Sequence, residues 1–109
     1  MPEVIITPEM VEQDLSKFYY SRSATILSKL YQGFVIGDDL YKQLNTDIDY
    51  AMSLFKKLPD DFLQIKEKLA RSILVKSPNR ISSLLEFSRD NNELQSFIFD
   101  IFENRENPK

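Results

Sequence analysis

Glycine occurs only twice in the 109 residues, at Gly33 and Gly37, bracketing the short run "GFVIG". Glycine is the residue that takes positive backbone φ without strain, so a chain this poor in it has few places for the tight reversals that many-stranded folds need. The remaining punctuation comes from proline, and each internal proline stands where a helix would start or stop. Thr7-Pro8-Glu9 combines a capping hydroxyl, a first-turn proline that sacrifices no hydrogen bond and a carboxylate suited to the helix dipole. Ser77-Pro78 repeats the cap-plus-proline pattern, and Pro59 closes a helical stretch.

Between these marks the apolar residues recur at helical spacing. From Pro8, Val11, Leu15, Phe18, Tyr19, Ile26 and Leu30 predict one long helix interrupted on its stripe by Arg22 and stopped at Gly33. A second long helix is expected from Asp38 or Asp39, with Leu40, Leu44, Ile48, Ala51, Met52, Phe55 and Leu58 on one face. A third restarts at Asp60 or Asp61 and carries Phe62, Ile65, Leu69, Ile73 and Leu74 inward. The fourth and shortest follows Ser77-Pro78 with Ile81, Leu84, Leu85 and Phe87, and the polar run "RDNNE" separates it from a last helix built on Leu94, Phe97, Ile98, Ile101 and Phe102. With loops of a few residues and no internal repeat or linker, the expectation is a single all-α domain over 1–109. It is a compact bundle of four to five helices, with 1–6 and 104–109 as frayed termini. Its expected core includes Leu15, Phe18, Leu44, Ile48, Phe55, Leu69, Ile73, Leu84 and Ile98. "PEVII" and "GFVIG" pair as strands only if an existing surface lets two such short runs dock.

Composition bounds the chemistry. Cysteine is absent, which removes disulfides, thiolate metal ligands and cysteine nucleophiles. Histidine is absent as well, so there is no imidazole base, no serine–histidine triad and no standard zinc site. No phosphate-cradling glycine loop is present either. The expectation is a non-enzymatic protein with no cofactor and no metal. Without a signal-like N-terminus or an apolar run of membrane-spanning length, it is expected in the cytoplasm, away from membranes.

Paired carboxylates do not alter this. Glu9 and Glu12 share a helix face, as half of a magnesium site would, but "DIDY" spaces its carboxylates by two and turns them apart. Asp38-Asp39 and Asp60-Asp61 stand where helix N-termini favour negative charge.

The net charge is −3, yet residues 62–80 carry five basic groups against one acidic. This basic patch comprises Lys66, Lys68, Arg71, Lys76 and Arg80. Together with Asn79, Ser82 and Ser83 at the start of the next helix, it has the chemistry of a helix-turn-helix reader of nucleic acid. The turn "KSPN" lacks glycine and is fully explained as a helix cap, and five cations are few for phosphate-driven binding.

The aromatic endowment points elsewhere: eight Phe and five Tyr, with no Trp. Phe18, Tyr19 and Tyr20 are consecutive, so on a helix they cannot all face one core. Tyr31, Phe34, Val35 and Ile36 form a second cluster at the glycine-bracketed run, and Phe99 falls off the stripe of Leu94, Ile98, Ile101 and Phe102. Tyr19, Tyr20, Phe34, Ile36 and Phe99 are therefore the candidate protein-interaction residues. The expected function is that of a small acidic helical interaction module, such as an adaptor, assembly chaperone, inhibitor or immunity-type protein. It would act on a protein partner or as a homodimer, and a nucleic-acid-associated regulator using 66–83 is the alternative.

Overall fold

A computed structural model of the chain describes residues 3–18 and 20–104; the side chain of Phe18 lies outside the described set, as do Tyr19 and both chain ends. Among the described residues there are seven α-helices: α1 (Pro8–Phe18), α2 (Arg22–Tyr31), α3 (Asp38–Thr46), α4 (Ile48–Lys57), α5 (Leu63–Lys76), α6 (Ile81–Phe87) and α7 (Asn92–Asn104). The all-α expectation therefore holds at the level of class. The count of four to five helices does not, because each of the two long helices expected before Pro59 is divided.

The divisions have local causes. Ser21 takes extended backbone geometry, and its hydroxyl accepts from the Ala24 amide at 3.2 Å, starting α2 afresh. Asp47 leaves helical geometry at φ −119°, ψ 92°, and its carboxylate accepts from the Tyr50 amide at 3.1 Å, capping α4. Elsewhere the breaks fall at the sequence marks, although α5 starts at Leu63, after a 3-10 turn at Asp60–Phe62, and not at Asp60 or Asp61. Thr7 Oγ1 accepts from the Met10 amide at 3.3 Å. Beyond α2, Gly33 adopts φ +91° while Phe34 N donates to Lys29 O at 3.1 Å, a left-handed helix stop. Ser77 closes α5 but makes no side-chain cap; Pro78–Arg80 forms a 3-10 turn, so α6 begins only at Ile81. Asn91, within the polar run, caps α7 by accepting from the Leu94 amide at 3.0 Å.

The backbone divides into two compact units, Met1–Lys57 and Leu58–Lys109. In the first, α2 packs on α1 and α4, and α3 packs on α1 and α4. A two-stranded parallel sheet joins β1 (Ile5–Ile6) to β2 (Val35–Ile36), with Ile5 opposite Val35 and Ile6 opposite Ile36. Ile6 is fully buried by this pairing, whereas Val4 and Ile5 are exposed. Gly37 is required here, because a Cβ at this position would run into the Ile5 side chain. Ile26, Leu40, Leu44, Leu54 and Phe55 are buried in the same unit. Two expected core residues, Leu15 and Ile48, are only half-buried; Ile48 is the first residue after the Asp47 cap, at the open end of α4.

In the second unit α7 packs on α5 and α6, and Leu69, Ile73, Leu74, Leu84, Leu94 and Ile98 are fully or almost fully buried.

Candidate interaction surfaces

Two features of α2 set its outer face. The helix buries Ile26 and Leu30 and leaves the stripe Ala24, Leu27, Ser28 and Tyr31 turned away from them. Ala24 and Leu27 are half-buried, whereas Tyr20, just ahead of the Ser21 cap, and Tyr31, in the last turn, are 55% and 62% exposed. These residues, with Gln32 and Lys57, line a groove of about 620 Å³. Lys57 is the one charged group among its described lining residues, and no acidic side chain takes part.

The other sequence candidates fall as follows. Tyr19 lies outside the described residues. Phe34 is half-buried, with the Lys29 ammonium 5.5 Å from its ring centroid, and Lys29 itself is held at 2.9 Å from Asp14. Ile36 is buried, 9% exposed, and belongs to the core side of β2; its expected surface role is corrected by the strand pairing that turns it inward. Phe99 is 46% exposed on α7, in the second unit. Tyr31 belongs to the second aromatic cluster of the sequence but is not among its named candidates, and it lies on the α2 face instead of with Phe34 and Ile36. The signal available was its i+4 and i+7 spacing from Leu27 and Ala24.

The basic patch is smaller than expected. Lys66 is only 4% exposed, and its ammonium donates to Asp60 Oδ1 at 3.1 Å, so it faces inward. Arg71 is exposed but has its guanidinium over the Phe97 ring, 5.4 Å from the centroid. Arg71 and Phe97 line a smaller groove of about 430 Å³ together with Val75, Asp100, Ile101 and Asn104. Lys68 and Lys76 are exposed, and Arg80 is half-buried. Asn79 and Arg80, the residues expected to open a reading helix, lie instead in the 3-10 turn ahead of α6.

A polar cleft of about 380 Å³ occurs where α2 and α4 begin, lined by Ser21, Arg22, Asp47, Tyr50 and neighbours. The Arg22 guanidinium stacks 3.9 Å from the Tyr50 ring centroid and lies 3.5 Å from Asp47 Oδ2. Ser23 Oγ donates to Ser53 Oγ at 2.8 Å, tying the two helices. The Tyr50 phenol is buried and without a hydrogen-bond partner among the described residues. Burial pushes its pKa up to about 12; the Arg22 charge counteracts this, and the Glu12 and Asp47 charges add to it. Burial also raises the pKa of Tyr41.

The carboxylate pairs do not gather. Asp38 and Asp39 occupy the first turn of α3, Asp60 and Asp61 the 3-10 turn before α5, and no acidic cluster able to hold a metal occurs among the described residues. No helix among them is long and apolar enough to cross a membrane. Comparison with protein-family models, with curated proteins and with solved structures finds no significant match to this chain.

Proposed function

We propose that this chain is a non-enzymatic protein-interaction module, of the adaptor, assembly-chaperone, inhibitor or immunity type, that works in the cytoplasm and engages protein through the outer face of α2. The observation that carries this reading is the pair of exposed tyrosines, Tyr20 and Tyr31, set either side of half-buried Ala24 and Leu27 along one groove. Tyrosine suits such a face, since its ring supplies a large apolar contact at low conformational cost and its hydroxyl adds a polar handle for hydrogen bonding. A chain without histidine and cysteine is equipped for binding by shape more than for acid–base or nucleophilic chemistry. The basic segment supports a nucleic-acid reading less well, because Lys66 is buried and Arg71 is laid against Phe97.

The test is affinity capture with the immobilised full chain, comparing wild type with the Tyr20→Glu/Tyr31→Glu double variant. Circular dichroism should show both folded, since both substitutions are at exposed positions. A partner held by wild type and lost from the double variant is the expected result. Partners held equally by both would place the interaction elsewhere. Retention of nucleic acid that weakens steeply with salt would move the function to the basic segment.

A further inference from the structure

The α2 groove has a complement on the same chain. The outer face of α7 presents Glu93, Ser96, Phe99, Asp100 and Glu103, all exposed and spaced so that they lie along one side of the helix. Phe99 is 46% exposed in the middle of this side. The helix carries no basic residue at all, and its C-terminal end holds Asp100 and, in the last turn, Glu103. That is the unfavourable sign for a helix C-terminus, where the dipole already concentrates negative charge. Arg71 of α5 lines one groove with Asp100, and a further cation supplied by another molecule would relieve the rest.

We infer that the α2 groove binds the outer face of α7 of a second copy of this chain, with Phe99 seated between Tyr20 and Tyr31 and the acidic end of α7 directed to Lys57. The charges correspond: the groove's described lining has one cation and no acid, and the α7 face has three acids and no base. The groove also suits a ring: Ala24 and Tyr31 are two turns apart, roughly 10 Å along the axis, and the lining between the tyrosines is Leu27 with the short side chains of Ala24 and Ser28. Aromatic rings meeting edge-to-face or offset add to the apolar contact. The two faces differ, so the contact is head-to-tail. Made reciprocally it closes a pair, and otherwise it extends into longer assemblies. This inference rests on the reading of α2 as the interaction face, but it names a different outcome to test.

The experiment is sedimentation equilibrium of the purified full chain from low micromolar to submillimolar concentration, with four variants. Wild type should associate with concentration. Phe99→Ala and Tyr31→Ala, each verified as folded by circular dichroism, should each weaken association at least about tenfold. Lys57→Glu and Asp100→Lys should each weaken it about threefold, and the Lys57→Glu/Asp100→Lys combination should recover wild-type association. A strictly monomeric wild type overturns the inference, while leaving the capture experiment above to decide whether α2 binds a different protein. Association that persists unaltered in Phe99→Ala and Tyr31→Ala overturns it as well, by assigning self-contact to other faces. Failure of the charge swap to restore what its single reversals remove overturns the pairing of Lys57 with α7.

Discussion

Replacing Asp47 by alanine isolates the device that divides the second expected helix. Three contributions are lost together. The carboxylate no longer accepts from the Tyr50 amide, now 3.1 Å away, and loss of such a cap costs about 1 kcal/mol. Its charge no longer complements the α4 dipole, worth about 0.3–1 kcal/mol at a partly exposed terminus. Its contact with Arg22 at 3.5 Å, between side chains 47% and 40% exposed, adds at most a few tenths of a kcal/mol after solvent screening. The expected loss is about 1.5–2 kcal/mol, a fall in Tm of the order of 10 °C for a domain this size. Asp47→Asn keeps the capping oxygen and loses only the charge, so it should cost about 0.5 kcal/mol. Urea and thermal unfolding followed by far-UV circular dichroism give both numbers. If alanine is tolerated within about 0.3 kcal/mol, or asparagine is as harmful as alanine, Asp47 is not the cap that starts α4.

Two further tests bear on the same unit. Phe55→Ala, at a fully buried position, should cost about 3–5 kcal/mol, whereas Ile48→Ala, half-buried in the first turn of α4, should cost about 1 kcal/mol; equal losses by denaturant titration would restore an unbroken helix through Asp47. Tyr50→Phe should be neutral or stabilising at neutral pH by equilibrium unfolding, because it removes a buried hydroxyl that has no partner among the described residues and keeps the ring beneath Arg22. The Tyr50 phenol has a higher pKa folded, about 12, than its ordinary value of 10.0, so its neutral form favours folding. That contribution is complete below pH 10.0 and is lost as pH rises towards about 12; the phenylalanine variant should show a shallower alkaline decline in stability than wild type.

The sequence marks that proved readable are those with a backbone cause. Gly33, Pro59, Ser77-Pro78 and the polar run before Leu94 each fall at an interruption between helices, because φ > 0, a missing amide or a competing side-chain acceptor acts wherever the residue sits. Ser21 and Asp47 act through the same chemistry but were hidden. The apolar period runs straight across Asp47, from Leu44 to Ile48 to Ala51, so a continuous stripe masked a cap. Lys66 was hidden in the opposite way. It stands three, four and seven residues before Leu69, Ala70 and Ile73 on the buried face of α5, where its methylene stem packs and its ammonium reaches Asp60. Charge alone placed it on the surface. Phe99 and Tyr20 were legible as surplus to the inward stripes, and both are exposed. Ile36 was not, because which side of a two-residue strand faces the core depends on a partner strand thirty residues earlier.

The most direct measurement on the α2 surface is an amide-resolved NMR dilution series of the unlabelled-to-labelled mixed chain, which reports contact residue by residue in the folded protein. The expected result is concentration-dependent shift changes confined to Tyr20 and the Ala24–Gln32 face, Lys57, and the Glu93–Glu103 face of α7, all fitting one dissociation constant. Shift changes gathered on Lys68, Arg71 and Lys76, or spectra that do not alter with concentration, would contradict it.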